Sequence, residues 1–362
     1  MNVFRSNKLR SQLKKVLYIT IAWTIISLIQ YFNVYSIFVE LDVWPEMINA
    51  RAAFAGSILK GILAGLLGGS ALVFLWDSWL QTKNYALGVL YIILTFTAIF
   101  VFVSVAIGLF YTSRLHGLAI YEPELWSLVF QDLTGLSTLK HYLFWLFVVD
   151  ATHLVMLVND KYGPGMFRDF MMGKYFRPKR EERIFMFLDL RSSTTIAERL
   201  GEERYFNFIK DVFKDATPGI VYTKGEIYQY VGDEIVISWK TDEGIRNASC
   251  IRCFYEIQRI LRQKAPYYEA TYGVSPEFKA GLHYGHVMAG EIGVIKRDIA
   301  FSGDVLNTTA RIQSKCNELG VNILLSKPLL DQLALPPNTF IPQKIGNILL
   351  RGKRQEVTLF TV

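Results

Sequence analysis

The chain predicts two unlike halves: a bundle of four transmembrane α-helices, then an α+β domain of short strands and helices. Three observations carry this reading. At 362 residues the chain exceeds the usual domain size of about 150. It is 51% hydrophobic and only 20% charged, with mean hydropathy +0.25, and the apolar excess is gathered in residues 1–158. From Arg183 onward, short apolar runs alternate with helical stretches. Such a composition excludes disordered, collagen-like and disulfide-scaffold chains.

The first span, residues 16–38, is an uncharged stretch of 23 residues, enough to cross a hydrocarbon core about 30 Å thick. It exceeds the apolar region of a signal peptide, and no small-residue cleavage site follows it cleanly, so it is expected to be retained. The second, residues 52–76, carries one charge, Lys60. Its small residues Gly61, Ala64, Gly65, Gly68 and Gly69 admit a neighbouring helix closely. Residues 85–111 form an uncharged third span, and the fourth, residues 142–158, is the shortest. The fourth carries Asp150 and His153 three apart on one face; an acid there is a functional candidate, and a hydrogen-bonded pair inside the bundle is the plainer reading.

Basic residues near the span ends set the orientation. Arg5, Lys8, Arg10, Lys14, Lys15, Lys83, Lys161, Arg168, Lys174, Arg177, Lys179 and Arg180 fall on one side, against Arg51, Arg114 and Lys140 on the other. Both termini and the second half are thus expected in the cytoplasm of a multi-pass plasma (inner) membrane protein, with membrane lipid as a partner. The net charge of +7 follows from these flanks and needs no nucleic-acid partner. Residues 112–140, with Tyr121, Trp126 and Phe130 among acids, form an outer loop that binds an external ligand or lies on the interface.

Residues 159–182 contain Gly163, Pro164, Gly165, Gly173 and Pro178 among basic residues and read as a cytoplasmic linker lying against anionic headgroups. All three cysteines, Cys250, Cys253 and Cys316, fall in the cytosolic half and are expected as reduced thiols. Cys250 and Cys253 have redox-motif spacing but lie inside a helical stretch, where they read as packing residues, and His283 and His286 read as scaffold.

In the second half, residues 183–190 (RIFMFLDL) read as a buried strand ending in Asp189. Ser192, Ser193, Thr194 and Thr195 follow, suited to capping the next helix. An acid at a strand end facing helix-start N–H groups makes a metal and phosphate cradle, which places Leu190 and Thr194 with the substrate-binding candidates. Residues 225–239 (GEIYQYVGDEIVISW) read as a hairpin with Asp233 at its tip, and two carboxylates on adjacent strand ends suit Mg²⁺ bound together with substrate phosphates. A helix beginning near Asp304 carries Asn307 and Arg311 four apart, on one face, where an Arg beside a phosphate stabilises charge in phosphoryl or nucleotidyl transfer.

Asp189 in FLDLRSSTT, Asp233 in YVGDE, the strand-like GLHYGHVMAGEIG and the run GDVLNTTAR together resemble, in order and spacing, the catalytic domain of a class III nucleotidyl (adenylate/guanylate) cyclase over residues 183–362. The resemblance implies a ferredoxin-like α+β fold with helices on one face of the sheet, active as a head-to-tail homodimer with sites across the interface. It implies that Asp189 and Asp233 hold two Mg²⁺ or Mn²⁺ ions, that Asn307 orients the ribose and Arg311 stabilises the transition state, and that Arg351 binds triphosphate, a role Lys353 could share. By the same likeness one subunit supplies the two acids and the other Asn307, Arg311 and Arg351. The base-reading positions fall on Gln229 and Ala300, where the family's pattern has Lys and an Asp or Thr, and Asp298 could substitute for Ala300. With no Glu at 229 to accept from guanine, the substrate expected is ATP, giving 3′,5′-cyclic AMP and pyrophosphate. The alternatives are GTP as substrate by the same mechanism, or a silent cyclase-like module for nucleotide sensing or dimerisation.

Overall fold

The computed structural model describes residues 2–41, 50–76, 85–162, 169, 172–295, 297–335, 339–352 and 355–362. The chain divides into two compact units, Met1–Val158 and Asn159–Val362.

The first unit is helical: α1 (Asn2–Glu40), α2 (Ala50–Ser70) continuing into a π-helical turn (Ala71–Trp76), α3 (Tyr85–His116), α4 (Pro123–Leu133) and α5 (Leu136–Tyr162). Among the described residues four stretches are long and apolar enough to cross a membrane: Leu9–Glu40, Ala53–Phe74, Leu87–His116 and Leu136–Asn159. Within an 18-residue apolar run of each, only 17% to 33% is buried, so most of these side chains face outward, as a hydrocarbon solvent requires. The small residues of α2 act as the sequence predicts. A Cβ added at Gly61 would lie 2.6 Å from the Thr24 Cα, and one at Gly65 2.5 Å from the Thr20 Cα. Trp23 then donates to Thr152 Oγ1 at 3.0 Å and ties α1 to α5.

Three details differ from the sequence reading. The fourth helix starts at Leu136 because its first turns carry Ser137, Thr138, Lys140 and His141, which dilute the apolar signal. His153 is buried while Asp150 is exposed, so the pair does not share the bundle interior. The expected outer loop contains α4, which buries Leu125 and Val129 and sets Val129 against Gly108 of α3.

The second unit is a mixed sheet in the order β2-β3-β1-β4-β6-β8-β7, with β5 paired to β4. Its strands are β1 (Lys179–Leu190), β2 (Glu226–Val231), β3 (Glu234–Lys240), β4 (Phe278–Ile292), β5 (Asp298–Ser302), β6 (Ile323–Ser326), β7 (Gln343–Leu349) and β8 (Glu356–Thr361). Helices α6 (Ser193–Leu200), α7 (Glu202–Tyr222), α8 (Thr241–Ile245), α9 (Ser249–Gln263), α10 (Ala265–Tyr272), α11 (Asp304–Glu318) and α12 (Lys327–Leu330) complete it. Alternation along β1 sends Ile184, Met186, Leu188 and Leu190 into a core with Phe208 and Val212 of α7 and Ile257 of α9. Phe185 points the other way, to Val236, Val287 and Phe301.

Helix α11 lies on that second face, which corrects the expectation of helices on one face only. The close approach is made at glycine: a Cβ on Gly281 would stand 2.4 Å from the Gln313 backbone nitrogen, and one on Gly285 3.3 Å from Val305. Gly281→Val is therefore expected to force α11 off the sheet and to lower stability by about 1–3 kcal/mol, read as a reduced denaturation midpoint.

β1 also begins earlier than the sequence suggests, at Lys179, and the residues before it belong to this fold. Tyr175 is only 2% exposed, and its carbonyl accepts from the Glu291 N–H at 3.1 Å. Arg183 is 1% exposed, yet fully engaged. It donates to Glu181 at 2.9 Å, Glu226 at 2.6 Å and Ser238 at 3.1 Å, and its guanidinium lies over the Phe301 ring. Removing one partner of a buried ion pair strands the other charges, so Arg183→Met should cost about 3–5 kcal/mol by chemical denaturation. The cysteines are buried and free, and burial pushes the Cys250 and Cys253 thiols up to about 12, where they are inert.

Candidate active site

Asp189 and Asp233 are brought together by strand register. Asp189, at the end of β1, pairs with Glu234 on β3 and with Lys279 on β4. The β2–β3 hairpin closes by the pair Val231↔Glu234, which leaves Gly232 and Asp233 as its two-residue turn. Gly232 takes a left-handed φ of 60°, the conformation a glycine supplies at the first central position of a tight hairpin. Asp233 is thereby carried at the tip the sequence predicted, beside Asp189.

Two side chains the sequence reading did not single out hold Asp189 in place. The Lys279 ammonium stands 3.0 Å from Asp189 Oδ2, and Gln313 Nε2 of α11 donates to the same oxygen at 2.9 Å. Burial raises the Asp189 carboxyl above the ordinary range, Lys279 opposes this, and the Asp233 charge adds to it. Glu234 is pushed up to about 7, first by burial and then by the charges of Asp189 and Asp233. Three acids in a half-buried cluster against one lysine make an electronegative point that a cation relieves. Among the described residues no group of three or more His, Cys, Asp or Glu is arranged to hold a metal ion by itself. Mg²⁺ does not need one when phosphates supply the remaining oxygens.

The turn after β1 departs from its predicted role. Ser192 is left-handed (φ 54°, ψ 28°) and its hydroxyl makes no cap bond to α6, so this helix start lacks the expected side-chain cap. Thr194 is exposed in the first turn of α6. The side chain of Leu190 is 1% exposed in the helix-side core, opposite to Asp189, and only its backbone faces the turn.

Asn307 and Arg311 sit on α11 as expected, with Asn307 exposed and Arg311 half-buried. At about 100° per residue, Arg311 lies about 160° and Asn307 about 120° around the helix from Gln313, the residue that faces Asp189. One chain thus presents its acids and its Asn/Arg pair in different directions. Arg311 instead lies beside the turn after β7: a Cβ on Gly352 would be 3.4 Å from its guanidinium, and the neighbouring Arg351 is exposed. Lys353 lies outside the described residues.

The two base-reading positions diverge. Gln229 pairs with Val236 just after a register shift in β2, so it shares the sheet face of Asp189. Ala300 alternates with Ile299 and Phe301, which occupy that face, and so points to the other. The β4–β5 register runs without a shift from Met288↔Ser302 to Ile292↔Asp298, which puts Asp298 on the same side as Ala300.

The mixed sheet and the acids at adjoining strand ends make an α+β domain with a two-carboxylate site. The family model described as adenylate and guanylate cyclase catalytic domain matches residues 177–362, more than half of the chain, and the chain belongs to that family. It is 35% identical over 208 residues to Adenylate cyclase 2 of Rhizobium meliloti (strain 1021), covering 58% of this chain and 57% of that protein. It is 25% identical over 183 residues to the adenylate cyclase of Anabaena cylindrica, covering 49% of this chain and 36% of that one. The chain therefore spans little more than half of the first relative's length and about a third of the second's. The fold is shared with a bacterial light-regulated adenylyl cyclase of known structure, at TM-score 0.52 and 21% identity, covering 63% of this chain and 66% of that one.

Proposed function

We propose that this chain is a membrane-anchored adenylate cyclase that converts ATP to 3′,5′-cyclic AMP and pyrophosphate at sites shared between two copies. The observation that carries the reading is the pair Asp189 and Asp233, joined by register at adjacent strand ends and flanked by Lys279. The donor set fits Mg²⁺ or Mn²⁺, two ions per site: hard carboxylate oxygens, half-buried and mutually repelling, with room for phosphate oxygens. When bound, such ions make the ribose 3′-hydroxyl more acidic and neutralise charge on the triphosphate.

The remaining work falls to side chains. The 3′-oxygen attacks the α-phosphorus, the bond from that phosphorus to the bridging oxygen breaks, pyrophosphate leaves and the hydroxyl proton goes to solvent. Asn307 holds the ribose and Arg311 meets the charge developing on the α-phosphoryl oxygens. Arg351 and Lys353 bind the triphosphate from the same copy as Arg311. Lys279 faces it from the copy that supplies the acids, and the uncapped first turn of α6, with Thr194 and the Leu190 backbone, lies beside those acids.

Gln229 lies on the site face and meets the base edge, and its amide both donates and accepts, so it serves either purine. A glutamate, which accepts from both guanine N1–H and N2–H, is absent there, and ATP is the substrate we assign. The four apolar helices support anchoring in a membrane, and the excess of basic flanks supports an orientation with the catalytic unit on the cytoplasmic side of a plasma membrane.

The test is product analysis by chromatography, with ATP or GTP and Mg²⁺ or Mn²⁺, on the full chain and on residues 172–362. Cyclic AMP is expected. Cyclic GMP would overturn the base assignment alone, and no product from either form would replace the enzyme with a sensing or dimerisation module.

A further inference from the structure

The helical unit holds a partly open cavity of about 400 Å³, within the range of small-molecule sites. Its walls are mainly aromatic and aliphatic, with Trp23, Phe96, Phe100 and Trp145 prominent, and it extends to the corner between α4 and α5. Among the described residues one lysine and no arginine lines it. Lys60 lies within the apolar stretch of α2, and its ammonium has no hydrogen-bond or ion-pair partner among the described residues. A charge in such a stretch is costly, and one kept there faces a cavity and a function.

We propose that this cavity binds a small amphipathic carboxylate, with an apolar alkyl or aromatic body and one anionic end seated on Lys60. The aromatic walls by themselves would also suit a cation, but Lys60 inside the cavity repels one. Asp132 from α4, His141 from α5 and the phenols of Tyr31 and Tyr111 line the same cavity. Asp132 is solvent-exposed and within electrostatic reach of Lys60 without bonding to it, so an entering carboxylate competes with Asp132 for the ammonium. Volume and lining accommodate either a molecule delivered through the lipid or one delivered from water.

The probe can be read by the cavity's own tryptophans. Trp23 and Trp145 meet edge to face at 5.7 Å, so a bromine in the cavity quenches both. The experiment uses the full chain in nanodiscs of zwitterionic lipid, titrated with 12-bromododecanoate, with 4-bromobenzoate, or with neutral 12-bromododecan-1-ol. Saturable quenching is expected from at least one carboxylate, and none from the alcohol beyond its lipid background. The alkyl acid alone quenching assigns a ligand from the lipid phase, and the aromatic acid alone assigns one from water.

Lys60→Met should weaken the binding by at least about tenfold. Ser104→Phe, which fills the cavity from α3 and leaves Lys60 in place, should abolish it. Asp132→Asn should bind at least as tightly as the native chain. Equal saturable quenching by acid and alcohol, unchanged affinity in Lys60→Met, loss of binding in Asp132→Asn, or no saturable quenching by either acid would each overturn the proposal.

Discussion

Asp233→Ala is expected to abolish cyclic nucleotide formation, with turnover reduced by at least about a thousandfold in Mg²⁺. Losing one preorganised charge at a reacting centre costs about 10²–10³ in rate, and a metal-holding acid acts on both the attacking and the leaving oxygens. This position separates chemistry from folding better than Asp189 does. Asp233 occupies a two-residue turn whose strained conformation is carried by Gly232, so an alanine leaves the hairpin closed. Truncating Asp189 instead strands Lys279, whose side chain is 12% exposed, and the buried Gln313 amide, so lost activity there would mix with lost packing. Measured with matched denaturation midpoints, an inactive Asp233→Ala of native stability supports the two-metal assignment. A variant that retains turnover removes it.

Part of this is legible in local sequence pattern. Alternation ending in Gly232-Asp233 predicts the hairpin tip, and the spacing of Asn307 and Arg311 predicts their common helix, because both signals lie within a few residues. Lys279 and Gln313 were not legible, since their meaning comes from partners 90 and 124 positions away, respectively, and nothing local to an isolated Lys or Gln marks it. Knowledge of the β1–β4 register alone would have found Lys279, which stands opposite Asp189. The start of β1 was hidden for a different reason. Its first residues, Lys179, Arg180, Glu181 and Glu182, look like a solvated linker, but they pair with β4 and present Glu181 to Arg183. The β1 alternation turns the Leu190 side chain into the core, so a substrate contact at Leu190 falls to its backbone.

The second large effect is expected from mixing two dead proteins. In one chain Gln313 turns toward Asp189, while Arg311, on the same helix, turns away toward Gly352. On the proposed shared site, a copy that contributes its acids to one site contributes its arginine to the other, as a two-fold dimer would allow. Asp189→Ala and Arg311→Ala should each be inactive alone. Co-folded in equal amounts, half of the dimers are mixed, and each mixed dimer has one intact site and one doubly damaged site. Activity should return to about one quarter of the native level by this two-fold counting. The double variant, mixed with inactive Asp189→Ala, should recover nothing, because neither chain carries an intact Asp189. Recovery near a quarter, read as cyclic AMP formed per mole of dimer, supports acids and arginine acting across the interface. Tagged mixed dimers that purify as such yet stay silent would place all four residues in one chain and require α11 to turn on the sheet.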